Sequence, residues 1–201
     1  FLKVIVFIMA LHFSKQEFEK RKLATLKSMK EHNLDALLMF RQESMFWLTG
    51  YDTFGYVFFQ TLILDSKGNI ILLTRAPDLR QAQNTSNIED IRIWVDKDQS
   101  NPTDDLKIIL NELNLKGKKI GIEYEAYGMT GRNALRLNKS LEGYCEVEDQ
   151  SELITKHRVV KSTEEIVYVK KAAELADQAL DEAWKYAKAG ASEAKILAEM
   201  Q

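Results

Sequence analysis

The sequence predicts an α/β fold in which a mixed β-sheet is flanked by helices and followed by a long alanine-rich helix. Apolar runs of strand length alternate with amphipathic segments along most of the chain. One pair of runs is separated only by the turn "SKGN", which predicts an antiparallel hairpin. From Ser162 onwards, small and apolar residues recur every three to four positions, as along one face of a helix. Alternation of this kind around a hairpin is typical of a mixed sheet covered on both faces.

An apolar extension, residues 1–12, opens the chain with "FLKVIVFIMAL". It is shorter than the roughly 20 residues that a membrane-spanning helix requires. Lys3 supplies its positive charge and no A-x-A-like cleavage site follows, so the extension does not fit a secretory signal peptide. Because position 1 is not a methionine, Met9 is a candidate for the natural start. No function is predicted for this extension.

The first predicted helix begins after Ser14, a residue type that caps helix N-termini, and runs through "KQEFEKRKLATLKSMKEHN". Strands are predicted for the apolar runs "DALLMF" (35–40), "YVFFQTLILD" (56–65) and "IILLT" (70–74). The last two runs form the predicted hairpin. Residues 47–50 are interpreted as a segment that leads into it.

The second half of the chain continues the alternation of helices and strands. Pro77 marks a helix start in "APDLRQAQ". Strands are predicted for "IRIWVD", "GKKIGIEY" and "CEVED", and helices for "NPTDDLKIILNELNL" and "GRNALRLNKSL". Ser162, with Glu165 three residues later, forms a capping box that starts the long helix. Gly190 ends that helix, and Ser192 caps a second one.

The segment "MFWLTGYDTFGYVFFQ" places one acid, Asp52, among aromatic residues. A carboxylate beside aromatic rings suits an ammonium or guanidinium ion, because both the negative charge and the ring faces attract a cation. This pattern favours Tyr51, Asp52 and Phe54 as ligand-binding residues. The alternative is structural, with Asp52 accepting hydrogen bonds from turn amides between Gly50 and Gly55. The sequence alone leaves both interpretations open.

Composition argues against several functional classes. The chain of 201 residues is 45% hydrophobic and 29% charged, with a formal net charge of -2. This balance predicts no attraction to nucleic acid or to an anionic membrane surface. The one cysteine, Cys145, excludes an internal disulfide, fits a reducing cytoplasmic compartment and is interpreted as a small buried hydrophobe.

The sequence contains no complete motif for catalysis or metal binding. His12, His32 and His157 are not paired at ligand spacing, and the HExxH, GxSxG and phosphate-binding glycine motifs are absent. Adjacent acids at 104–105 and 164–165 lie in predicted first helical turns, where the helix dipole explains them. We therefore predict no catalytic residue, no metal ligand and no cofactor in this chain.

Four motifs follow one another at sensible spacing: "LDALL" (34–38), "WLTGY" (47–51), "LKGKKIGIE" (115–123) and "RVVKSTEEIVYVKKAAELAD" (158–177). In this order they resemble the N-terminal domain of the creatinase/prolidase family, the pita-bread metallohydrolases that include Xaa-Pro peptidases. Each motif alone is weak, but together they cover nearly the whole chain from about Met9.

The resemblance implies a ribonuclease-H-like domain at residues 13–157. Residues 158–201 would be a linker and the first helices of a truncated pita-bread catalytic domain. In that family, two divalent metal ions are held by two Asp, one His and two Glu of the catalytic domain, all downstream of the residues matched here. The resemblance therefore implies that this chain by itself holds no metal ligand and is inactive.

The resemblance also implies a partner and a class of substrate. The family's N-terminal domain mediates homodimerisation and reaches over the partner subunit's active site, where a C–N bond of a dipeptide or small zwitterion is cleaved. Tyr51, Asp52 and Phe54 would then be substrate-binding residues in a lid. The loop resembles the family's small-molecule branch, including creatinase and ectoine hydrolase, more than its peptidases. A second hypothesis makes the chain a free-standing, non-catalytic binding or dimerisation module.

Overall fold

The computed structural model describes residues 11–201 of the chain. Most of the apolar extension, residues 1–10, lies outside the described residues. The described residues divide into two compact units, residues 11–159 and residues 160–201. The first unit contains the β-sheet, and the second consists of two helices.

The described elements alternate along the first unit as the sequence predicts. Its helices are α1 (Lys15–Glu31), α2 (Gln42–Thr49), α3 (Leu79–Thr85), α4 (Pro102–Glu112), α5 (Gly131–Leu141) and α6 (Leu153–Val159). Its strands are β1 (Ala36–Met39), β2 (Thr61–Asp65), β3 (Ile70–Arg75), β4 (Asp90–Trp94), β5 (Lys119–Ile122) and β6 (Glu146–Asp149). Short 3₁₀ turns lie at Gly55–Val57 and Ala76–Asp78. The second unit holds α7 (Thr163–Tyr186) and α8 (Glu193–Met200).

The six strands form one mixed sheet in the order β4-β3-β2-β1-β5-β6. Strands β1, β2 and β3 are antiparallel neighbours, with Ile63 of β2 opposite Leu38 on one side and Ile71 on the other. Strand β4 runs parallel to β3, while β5 and β6 continue parallel to β1. The predicted hairpin and the predicted mixed α/β sheet are confirmed.

Alternate residues of each strand point to opposite faces of the sheet, so the first unit has two apolar layers. Ala36 and Leu38 of β1 pack in the layer that contains helices α4 and α5. Leu37 and Met39 pack in the opposite layer, which contains residues of α1, α2, α3 and α6. All four of these β1 side chains are fully buried, which explains the unbroken apolar run "ALLM".

Two local predictions around the aromatic segment are wrong. Residues 47–50 do not simply lead into the hairpin, because residues 42–49 form helix α2, which Gly50 ends at φ +81°. The predicted strand at 56–65 begins only at Thr61, since a 3₁₀ turn occupies residues 55–57. Aromatic residues have high strand propensity, but here they pack from a helix and a turn, so tertiary contacts override that preference.

His157 lies inside helix α6. Its ring stacks on Trp47 of α2, with ring centroids 5.8 Å apart, and its Nε2 is 2.9 Å from the Ser28 hydroxyl of α1. Burial lowers the pKa of the imidazole, which favours the neutral ring. His157 therefore joins three helices and has a structural role.

The second unit contains the predicted long helix. In its capping box, the Ser162 hydroxyl accepts from the backbone N–H of Glu165 at 3.2 Å, and the Glu165 carboxylate accepts from the Ser162 N–H at 2.7 Å. Neither α7 nor α8 has a buried residue, and apolar side chains such as Leu180 and Trp184 are exposed. Within residues 11–201, no helix is long and apolar enough to cross a membrane.

Candidate functional site

Residues 51–60 connect helix α2 to strand β2, and we call them the recognition loop. Its first residue, Tyr51, is 0% exposed and lies in the apolar layer beside α2. The Tyr51 hydroxyl donates to Oε1 of Gln60 at 2.8 Å, and burial raises its pKa. The structure thus places Tyr51 at the base of the loop, where its ring anchors the chain in the core.

A buried set of polar side chains holds the loop in shape. Gln60 donates from Nε2 to the Thr53 hydroxyl at 3.1 Å and accepts from the Thr74 hydroxyl at 3.1 Å. The Thr53 oxygen also accepts from the backbone N–H of Gly55 at 2.9 Å. Thr53 therefore satisfies the turn amide, which is the task that the structural interpretation gave to Asp52.

Asp52 and Phe54 lie on the surface of the recognition loop. The backbone N–H of Asp52 donates to the Thr85 hydroxyl at 3.2 Å, and that of Phe54 donates to Oε1 of Gln81 at 3.2 Å. The Phe54 side chain is 85% exposed. Among residues 11–201, the Asp52 carboxylate has no hydrogen bond or ion pair. Helix α3 thus fixes the loop backbone and leaves both side chains open to solvent.

The tip of the loop is held against the end of strand β3. Gly55 lies so close to Asp78 that an added Cβ would be 2.5 Å from Oδ1, so a side chain there requires the Asp78 carboxylate to move. Asp78 is paired with Arg75 at 3.1 Å, and the Arg75 guanidinium lies 3.4 Å from the centre of the Phe58 ring. This cation–π contact and this ion pair hold the recognition loop against the end of β3.

The loop and the segment after β5 together expose an aromatic surface. Phe54, Val57, Phe58 and Tyr127 are all exposed. The rings of Tyr56 and Tyr127 meet edge to face, with centroids 5.6 Å apart.

Beside the loop, the carboxylate of Glu123 lies fully buried at the end of β5. One oxygen accepts from the backbone N–H groups of Phe40 and Arg41, both at 3.0 Å, and the other accepts from the Ser44 hydroxyl at 2.6 Å. Burial raises the pKa of Glu123 to about 7, although these hydrogen bonds oppose the shift. Glu123 therefore joins β5 to the start of helix α2.

Arg41, which follows β1, fixes the neighbouring segment through its side chain. Its guanidinium donates to the backbone carbonyl and carboxylate of Glu125 and, at 2.7 Å, to the Thr155 hydroxyl of α6. A second carboxylate, that of Glu152, lies 3.8 Å away. The positive charge of Arg41 is thus compensated within the first unit.

Sequence reasoning did not single out Glu123, Arg41, Thr53 or Gln60. For Glu123 a signal was present, because a carboxylate directly after the buried strand "KIGI" requires partners. The other three are polar residues of common types, and only their long-range contacts distinguish them. The predicted residues Tyr51, Asp52 and Phe54 do not share one surface, since Tyr51 is buried while the other two are exposed.

The described residues do not offer a metal centre. Residues 11–201 contain no group of three or more His, Cys, Asp or Glu side chains arranged to hold a metal ion. The dimetal site that the resemblance implies for a catalytic domain therefore has no fitting set of ligands in this part of the chain. No chemical step is assigned to a metal here.

Comparison with known families decides the identity of the first unit. The profile of the Creatinase/Prolidase N-terminal domain matches residues 21–160. The chain belongs to this family. The fold of the chain also matches a crystal structure of prolidase from Thermococcus sibiricus with a TM-score of 0.74 and 20% identity, covering 93% of this chain and 49% of that one.

Two curated relatives of this creatinase/prolidase-family chain are hydrolases by name. An uncharacterised hydrolase/peptidase of Sinorhizobium fredii is 26% identical over 195 residues, which cover 94% of this chain and 50% of the relative. The ectoine hydrolase of Halomonas elongata is 24% identical over 173 residues, which cover 83% of this chain and 43% of the relative. The chain thus spans about half the length of the curated relatives that it matches.

Proposed function

We propose that this chain is the dimerisation and substrate-capping part of a creatinase- or Xaa-Pro-peptidase-like metallohydrolase. That enzyme cleaves a C–N bond in a dipeptide or a small zwitterion. Two divalent metal ions act in its catalytic domain, and this chain alone is inactive. The enzyme works as a cytoplasmic homodimer, as the single cysteine and the family resemblance suggest.

The main support for the capping role is the structure of the recognition loop, in which a fixed backbone presents exposed side chains. Its backbone is fixed by Thr53, Gln81 and Thr85. The Phe54 side chain is exposed, and the Asp52 carboxylate has no hydrogen bond or ion pair within residues 11–201. A carboxylate and an aromatic ring on a rigid support can close over a cationic group of a substrate without ordering the loop first. This supports a lid that acts on a site outside the chain.

The second unit supports the same proposal. Helix α7 carries apolar residues such as Ile166, Val169 and Leu180 on an exposed surface, and neither α7 nor α8 has a buried residue. Most helices in proteins gain their stability by burying such an apolar stripe against another part of the structure. Together with the half-length match to the relatives, this favours an incomplete catalytic domain over a free-standing dimerisation module.

The test uses the enzyme in which this chain is followed by its catalytic domain. We expect Asp52→Ala to raise KM for a cationic or zwitterionic substrate by about tenfold, because one charge contact is lost. Phe54→Ala should act in the same direction, and Asp98→Ala, an exposed aspartate after β4, is the matched control. An unchanged KM in both loop variants would refute the lid, and a monomeric enzyme in light scattering would refute the capping of a partner.

A further inference from the structure

A crevice lies beside the recognition loop, between two neighbouring strands after which the chain passes to opposite faces of the sheet. Strands β1 and β5 are parallel neighbours, and Leu38 lies opposite Ile122 at their carboxyl ends. After β1 the chain passes to α2 in one apolar layer, whereas after β5 it passes to α5 in the other layer. In open α/β sheets, ligands bind in the crevice at such a switch point.

A cavity of about 500 Å³ occupies this position. Its walls come from residues 40–43 after β1 and residues 124–127 after β5, together with Tyr56 of the recognition loop and Arg158 of α6. All of these residues belong to the first unit. A volume of this size fits a small organic molecule.

The walls of the cavity are fixed before any ligand arrives. Glu123 holds the backbone of Phe40 and Arg41, and the Tyr124 backbone N–H donates to the Ser151 hydroxyl at 3.0 Å. The Tyr124 hydroxyl donates to Asn138 of α5. A preformed site loses less conformational entropy on binding than a flexible one.

The chemistry of the lining favours a cation. Tyr56, Tyr124 and Tyr127 supply aromatic faces. The half-buried carboxylate of Glu43 also lines the cavity, and among residues 11–201 it has no hydrogen bond or ion pair. Glu125 is already engaged by Arg41, so those two charges offset each other. Arg158 also lines the cavity, and its positive charge disfavours a ligand with a second positive charge.

We propose that this cavity binds a small organic ammonium ion carrying one positive charge. Glu43 is the counter-charge, and the rings of Tyr56 and Tyr127 contact the ammonium substituents. The site belongs to the first unit itself, so its occupation does not depend on a catalytic domain or on the proposed capping role. It is also separate from Asp52, which does not line the cavity.

The test is a titration of the 201-residue chain with tetramethylammonium chloride, followed by backbone amide NMR, against sodium chloride at equal ionic strength. We expect saturable shifts in residues 40–43 and 124–127, with a dissociation constant of about 1–10 mM for one carboxylate and two rings. A parallel titration with n-butylammonium chloride should move the same amides.

Matched variants assign the effect to the cavity. Glu43→Gln and Tyr127→Ala should each weaken binding at least about threefold. Glu19→Gln, an exposed glutamate of α1, and Trp184→Ala, an exposed aromatic of α7, should not change it. Because Glu43 and Tyr127 reach the surface, both cavity variants should keep the amide spectrum of the folded chain except at residues next to the substitution.

Three results would overturn the proposal. The first is the absence of saturable shifts at these residues with either ammonium salt. The second is unchanged affinity in both Glu43→Gln and Tyr127→Ala. The third is saturable binding of inorganic phosphate at the same amides without any ammonium effect, which would identify an anion site governed by Arg41 and Arg158.

Discussion

The carboxylate of Glu123 lies 2.6 Å from the hydroxyl of Ser44, a residue 79 positions earlier in the chain. This contact joins the end of β5 to the first turn of α2, and the second carboxylate oxygen holds two backbone N–H groups beside it. The start of α2, the cavity wall and the approach to the recognition loop thus depend on one buried side chain.

Removal of the Glu123 side chain should destabilise the protein strongly. Glu123→Ala leaves two buried backbone donors and the Ser44 hydroxyl without their acceptor and opens a cavity, so we expect a loss of about 3 kcal/mol. The loss of unfolding free energy is measured by urea denaturation, with circular dichroism as the signal. Glu89→Ala, at an exposed glutamate before β4, should stay within about 0.5 kcal/mol. An equally small effect of Glu123→Ala would contradict the structural role.

The raised pKa of Glu123 predicts that the protein gains stability on mild acidification. The carboxyl has a pKa of about 7 in the folded protein, above its ordinary value of 4.5, so between these pH values the folded state binds the proton more tightly than the unfolded chain does. The resulting contribution is fully present below about pH 4.5 and is lost as pH rises through 7. From pH 8 to pH 5.5 we expect about 2 kcal/mol of added stability from this group.

Glu123→Gln isolates that contribution from other titrating groups. The glutamine oxygen can accept the two backbone N–H groups, and its amide can donate to Ser44, so the fold is kept without a titrating proton. The difference in unfolding free energy between wild type and this variant should change by about 2 kcal/mol over the same pH range. A difference that stays constant with pH would show that Glu123 is ionised throughout.

The close approach of Gly55 to Asp78 predicts intolerance to any side chain at position 55. In Gly55→Ala the new Cβ would lie 2.5 Å from Oδ1 of Asp78, and the Arg75–Asp78 pair would have to move. We expect a loss of about 1–3 kcal/mol, measured by thermal or urea unfolding. Gly131→Ala is the control, because an added Cβ there meets nothing within 4 Å and α5 begins at that residue. Comparable losses in the two variants would argue against a specific contact.

The hydroxyl of Tyr51 should contribute modestly to the loop's stability. Tyr51→Phe removes one donor to Gln60, whose oxygen still accepts from Thr74 at 3.1 Å. We expect a loss of about 1 kcal/mol in urea unfolding. Tyr51→Ala should cost more, about 3–5 kcal/mol, because it also removes a fully buried ring. A neutral Tyr51→Ala would mean that the ring does not anchor the loop.

Much of the fold was readable from short-range patterns. The run "ALLM" and the turn "SKGN" predicted β1 and the hairpin because burial on both faces and tight turns leave local signatures. Ser162 and Glu165 predicted the start of α7 for the same reason, since a capping box lies within four residues. Helix α6, with seven residues, escaped prediction because so short an element depends on packing rather than on its own periodicity.

The candidate functional site was less predictable from the sequence than the fold. The sequence alone drew attention to an acid among aromatic residues and left open whether Asp52 binds a ligand or caps the turn. In the structure, Thr53 accepts from the turn amide of Gly55 instead. It also grouped Tyr51 with Phe54, although one ring is buried and the other is 85% exposed. Residues that are neighbours in sequence can lie in opposite environments. Only the packing of α2 and α3 decides which side chain is buried and which is exposed.

By itself, the sequence determined the class of fold, the family and the order of the elements other than α2 and α6, because these follow from periodicity, turn chemistry and motif spacing. The tertiary structure decided that Glu123 meets Ser44 and that the carboxylate of Asp52 has no hydrogen bond or ion pair among the described residues. It also brought residues 40–43 and 124–127 together around one cavity. The reason is physical, since each of these relationships joins parts of the chain that are distant in sequence and meet only when the sheet forms.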